Sequence, residues 1–93
     1  MQLSPRAVRD LKTLPRSDVR RVAAALKELE LRDELPAGVR APVGAHPYLR
    51  VRVGDWRIIF CPAWHVDPNA TQPGWYVARI VNRRDLDTTV RKL

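Results

Sequence analysis

The chain carries one cysteine, one methionine, one phenylalanine and four glycines in 93 residues. Cys61 alone cannot close an internal disulfide, so the fold has to stand without covalent staples, as suits a reducing compartment. No apolar run approaches the ~20 residues that cross a bilayer, and the stretch Met1 to Arg20 does not read as a secretory leader. The expected location is therefore the cytoplasm, away from membranes. Metal chemistry has little to draw on: His46, His65, Asp67 and Cys61 are the one plausible ligand set, and their spacing matches no zinc pattern. A glycine-rich phosphate loop, a Gly-x-Ser-x-Gly elbow and a Cys/His nucleophile pairing are all missing. No metal and no cofactor are expected. Acidic residues are scarce too, ten against seventeen Lys plus Arg, which leaves a formal charge of +7.

Fourteen of those seventeen cations are arginine, whose planar fork grips phosphate at two points and keeps its charge near neutral pH. An anionic polymer is the partner this balance favours. The 45% of apolar residues suffices to fold, which argues against a disordered basic tail. A chain this short closes only one small core, so residues 1–93 form a single domain.

Along the chain, Met1 to Leu3 reads as a short strand, and Ser4-Pro5 as a capping hydroxyl followed by a proline already set for a first helical turn. A first helix over 6–13 places Ala7, Val8 and Leu11 on one side, and Pro15 ends it. Ser17-Asp18 opens a second helix, with Val19, Val22, Ala23, Leu26 and Leu29 in one buried stripe and Arg20, Arg21, Lys27, Glu28 and Glu30 on the wet side. Prolines and glycines then mark a connector over 33–47.

From Tyr48 to Cys61 the pattern alternates with period two around Gly54-Asp55, a pair suited to a two-residue hairpin turn. With Val53 facing Trp56, partner numbers sum to 109, so Arg52 opposes Arg57, Val51 opposes Ile58, Arg50 opposes Ile59 and Leu49 opposes Phe60. One face then holds Leu49, Val51, Val53, Trp56, Ile58 and Phe60, for the helices to cover. The other holds Tyr48, Arg50, Arg52, Arg57, Ile59 and Cys61. Residues 62–74 read as a surface loop, and 75–82 as a third strand of the meander. If its Tyr76, Ala78 and Ile80 turn to the helices, then Val77, Arg79 and Val81 join the arginine face, with Arg83 just past the strand. Residues 86–93 form a terminal helix or a tail. The fold class is α+β in two layers: an N-terminal strand and helical hairpin packed on a small, mainly antiparallel sheet, in the order β-α-α-β-β-β.

Like charges opposite each other in a hairpin are destabilising, so Arg52 against Arg57 calls for a carboxylate or a phosphate between them. One reading is a phosphate cradle of Arg50, Arg52, Arg57, Arg79 and Arg83, with Tyr48 available to stack on a base. The other is a solvated polar sheet face.

The segment Leu49-Arg50-Val51-Arg52-Val53-Gly54-Asp55-Trp56-Arg57-Ile58-Ile59-Phe60, followed by Val81-Asn82-Arg83-Arg84-Asp85-Leu86, resembles the RelE/ParE superfamily of toxins from bacterial type II toxin-antitoxin systems. Leu3-Ser4-Pro5-Arg6-Ala7, Leu11 and Leu14-Pro15 fit the same family, so the resemblance spans nearly the whole chain. It implies a compact toxin that an acidic antitoxin protein wraps and neutralises, and that in the RelE branch cuts messenger RNA on the ribosome. The family's phosphate-holding basic positions fall on Arg50, Arg52, Arg57 and Arg83, with Arg84 and Arg79 beside them. Many relatives close the last motif with His-Arg-Arg-x-x-Tyr, where this chain reads Asn82-Arg83-Arg84-Asp85-Leu86-Asp87, so the histidine and tyrosine positions both differ.

RNA cleavage by a ribose 2′-hydroxyl needs a proton acceptor, charge stabilisation at phosphorus and a proton donor for the leaving oxygen. Arginine supplies the second, which casts Arg57 and Arg83 as electrostatic clamps at the catalytic centre. Asp87, His65, Tyr48 or a group on the ribosome are the alternatives for the acceptor. The rival reading is a ParE-like DNA gyrase poison without RNA chemistry, and a third is a weakened toxin that only binds its antitoxin.

Overall fold

The computed structural model describes residues 1–31, 48–66, 69 and 74–93. The connector expected over 33–47 lies outside the described residues, as do His46 and Asp67. Strand β1 is Gln2–Leu3, and Ser4 follows as the cap of α1, Pro5–Thr13. The Ser4 hydroxyl accepts from the Ala7 N–H at 2.9 Å and donates to the Ala78 carbonyl at 2.6 Å, so one buried side chain both starts the helix and moors it to the sheet. Pro5 sits in the first turn, where its missing N–H costs nothing.

Leu14 and Pro15 alone separate α1 from α2, Arg16–Glu30. The second helix starts ahead of the Ser17-Asp18 pair: Pro15 is its N-cap, and no side chain caps it. Val22, Leu26 and Leu29 are buried as the spacing requires, whereas Ala23 is exposed and Ala25 packs against the core instead. Val8, expected on the inner side of α1, is also exposed, and Leu14 beyond the helix end fills the core in its place.

Strands β2, Leu49–Val53, and β3, Trp56–Pro62, pair in the predicted register, Arg52 opposite Arg57 and Val53 opposite Trp56. Gly54 has φ +60°, the left-handed value that a Gly-X hairpin turn asks of its first position. The loop predicted from residue 62 begins with a short helix, α3, Ala63–Val66. Strand β4, Trp75–Asn82, completes a sheet of order β1-β4-β3-β2, in which only β1 and β4 are parallel.

A bulge corrects the expected facing of β4. Ile59 pairs with Arg79 but Phe60 pairs with Val77, so the alternation slips by one residue at Ala78. Ile80 faces the helices as predicted. Val77, expected on the arginine face, is instead fully buried beside Phe60 in the helix-side core, and Tyr76 stands opposite Cys61. That core joins Ala7, Leu14, Val22, Leu26 and Leu29 to Ile58, Phe60, Val77 and Ile80, with Leu49, Val51, Val53 and Trp56 packed at its margin.

The opposite face is not bare. After a single 3-10 turn, Arg83–Asp85, helix α4, Leu86–Arg91, lays Leu86 and Val90 over Ile59 and Val81, and Tyr48 flanks this second cluster. The terminal segment is thus a helix that adds a partial third layer. Ile59 and Val81 are apolar positions on an otherwise polar face, and burying them is what draws the helix back across the sheet.

Candidate functional site

Beside α4, the second face carries arginines from three elements. Arg50 and Arg52 project from β2, Arg57 from β3 and Arg83 from the 3-10 turn. Partial burial, then the charges of Arg52, Arg50 and Arg83, push Arg57 below the usual arginine value, and the Asp55 carboxylate opposes them. Three guanidinium groups are therefore close enough to bear on that of Arg57. It stays charged near neutral pH, because its starting value is far above 7.

The hairpin turn holds Arg57 in place. Its Nη1 donates to the Gly54 carbonyl at 3.0 Å and to the Trp56 carbonyl at 2.9 Å, which leaves Nε and Nη2 without a partner among the described residues. Arg83 is fixed through its backbone: its N–H donates to the Asp55 carbonyl at 2.8 Å. Its Nε lies 3.8 Å from an Asp55 carboxylate oxygen in a loose, exposed pair of the kind that contributes little to stability. The side chains of Arg50 and Arg52 make no hydrogen bond or ion pair among the described residues. Among the described residues, the cost of setting Arg52 against Arg57 is thus met only in part, by a single carboxylate at the turn.

The remaining sequence candidates lie elsewhere. Arg79 is bound by Asp10 of α1, with Nε 2.8 Å from one carboxylate oxygen and Nη2 3.1 Å from the other, and this partner raises its pKa. The same Asp10 takes the Ile80 N–H at 3.0 Å. Arg79 therefore joins helix to strand. Neither it nor Arg84 is among the charges felt by Arg57. Arg84 is exposed in the 3-10 turn, where its backbone N–H reaches the Asn82 side chain at 3.2 Å. Asp87 is exposed in the first turn of α4 and forms no ion pair with Arg84 or Arg91.

At the far end of the face, Tyr48 meets His65 edge-on with ring centres 5.5 Å apart, and His65 meets Trp64 likewise at 6.2 Å. Burial, with the charges of Cys61 and Tyr76, raises the Tyr48 pKa, so its phenol stays protonated near neutral pH and can stack or donate but not accept a proton. Cys61 is fully buried and its thiol is pushed up to about 11, which excludes it as a nucleophile at neutral pH. Among the described residues, no group of three or more His, Cys, Asp or Glu is placed to hold a metal ion, and no helix is long and apolar enough to cross a membrane.

Sequence reasoning missed two neighbours of the site. Asp55 was visible only as a turn residue, and Arg21 of α2 only as a wet position. The one signal for Arg21 would have been that helix and hairpin turn meet at Gly54.

No protein-family model matches the chain, and no curated protein does. Among solved structures, it is similar to a chain of the RelB-RelE antitoxin-toxin complex from Methanococcus jannaschii, with a TM-score of 0.71 and 20% identity over 96% of this chain and 98% of that one. It is also similar to a chain of the archaeal RelE-RelB complex from Pyrococcus horikoshii OT3, with a TM-score of 0.56 and 19% identity over 88% and 91% of the two chains. At that level of identity the fold is what is shared, and the fold of this chain is RelE-like.

Proposed function

We propose that this protein is the toxin of a toxin-antitoxin pair and that it inhibits translation by cutting ribosome-bound messenger RNA. The observation that carries the reading is the gathering of Arg50, Arg52 and Arg83 about Arg57 at one face and end of the sheet, with Asp55 the single carboxylate bearing on it among the described residues. Such a cluster is destabilising when empty and is relieved by phosphate. Arg57, anchored to the turn through Nη1 with Nε and Nη2 unpaired among the described residues, and Arg83 stabilise charge on the phosphoryl oxygens. Arg50 and Arg52 hold the adjoining backbone, and Tyr48 stacks on a base at the far end. Arg79 is left out, because Asp10 occupies it. The proton acceptor is Asp87, His65 or a ribosomal group. An acidic antitoxin wraps and neutralises the protein in the cytoplasm.

The test is purified protein added to cell-free translation, with primer extension locating cuts on the message. Wild type gives cuts confined to ribosome-occupied codons, and Arg57→Ala with Arg83→Ala abolishes them while antitoxin binding persists. A double variant that still cuts refutes the assignment. The Asn82 and Asp87 positions, which lack the histidine and tyrosine of the related motif, favour a second reading as a DNA gyrase poison. Accumulation of cleaved DNA in a purified gyrase assay, with no cut message, would establish that reading instead.

A further inference from the structure

The cationic surface does not stop at the sheet face. Arg21, from the outer side of α2, reaches the hairpin turn from the helix side. A Cβ built on Gly54 would lie 3.1 Å from its Nη2, 3.4 Å from its Cζ and 3.4 Å from its Nη1. Three guanidinium atoms at nearly equal distance mean that the flat face of the group, not its edge, rests on the turn. Its N–H donors therefore point sideways, and the one contact they make among the described residues is Nη2 to Asp18 at 3.3 Å, with the Arg21 side chain 62% exposed. Gly54 is needed here for its φ of +60°, and a side chain at that position would also press on Arg21. On the other flank of the same residue, Arg57 donates to the Gly54 carbonyl.

Resting on the reading of the sheet face as a phosphate-binding surface, we infer that Arg21 is a further backbone-gripping residue, which carries a bound single-stranded nucleic acid past the hairpin tip and onto α2. Arg21 meets Gly54 at the side-chain position and Arg57 meets it at the carbonyl oxygen, so Arg21 holds a separate phosphate of the same strand rather than sharing one. Its stacked face fixes the group before the ligand arrives, which lowers the entropy lost on binding. The Asp18 contact is long and exposed, so a phosphate displaces it at little cost.

The experiment measures binding of a single-stranded oligoribonucleotide to the full chain by fluorescence anisotropy over a series of salt concentrations. Each phosphate contact adds about 0.7 to the slope of log affinity against log salt for a single strand. Arg21→Ala is expected to flatten the slope by about that amount, and Arg21→Lys to keep it. Arg20→Ala, which removes an exposed cation one position away on the same helix, should leave it unchanged. Arg57→Ala lowers the slope independently, so Arg21→Ala with Arg57→Ala loses twice as much as either alone. An Arg21→Ala slope equal to wild type, while Arg57→Ala flattens it, overturns this inference and spares the sheet-face reading. Wild type that does not bind the oligoribonucleotide at low salt overturns both.

Discussion

Asp10 shows how much one side chain can decide in a chain with few acids. Its two oxygens serve Arg79 Nε, Arg79 Nη2 and the Ile80 N–H, three donors drawn to one carboxylate on α1. Both side chains are largely shielded, so the contacts count for more than a surface pair would. Asp10→Ala strands an arginine and a backbone N–H at the helix-sheet junction, and we expect a loss of about 2–3 kcal/mol in urea unfolding. Asp10→Asn should lose less, since its amide oxygen still accepts one of the three. None of this was legible in the sequence. Asp10 and Arg79 are 69 positions apart, and local pattern puts Arg79 on a strand face but says nothing of the helix end beside it.

The hairpin and the terminal helix mark the two limits of what pattern reveals about elements. The hairpin was fully legible, because a glycine-led two-residue turn leaves one register in which both faces sort cleanly. Strand β4 was legible in extent but not in facing, because the bulge at Ala78 is a pairing irregularity that alternation alone does not announce. Helix α4 was readable as helix or tail, with no sign of which surface it covers. The structure puts Leu86 and Val90 on Ile59 and Val81, so α4 is held by a four-residue apolar cluster flanked by Tyr48. Leu86→Ala should therefore cost about 2 kcal/mol, near the low end for a buried leucine. Native-state hydrogen exchange should show the loss in α4 and the adjoining face of β3 and β4 while the amides of α2 keep their protection.

For the molecule as a whole, the charge and the two apolar clusters on either face of the sheet set the conditions under which it holds together. Cys61 offers a way to read that cooperativity. Its thiol rises from an ordinary value of 9.0 to about 11 on folding, because burial disfavours the thiolate. The unfolded chain therefore releases this proton first as pH climbs. Stability from Cys61 is complete below about pH 9 and is lost through about pH 11, at up to about 1.4 kcal/mol per pH unit. Denaturant midpoints of wild type should fall across that window more steeply than those of Cys61→Ala. Parallel curves would mean that the thiol is wetter than its complete burial implies. The sheet order has a consequence of its own. Among the described strands, β2 lies at the border of the sheet, and every second residue near its middle is an arginine. Two copies aligning that border edge to edge would interleave cation with cation, so the rim discourages fibrous self-stacking at low ionic strength and relaxes its guard as salt is added.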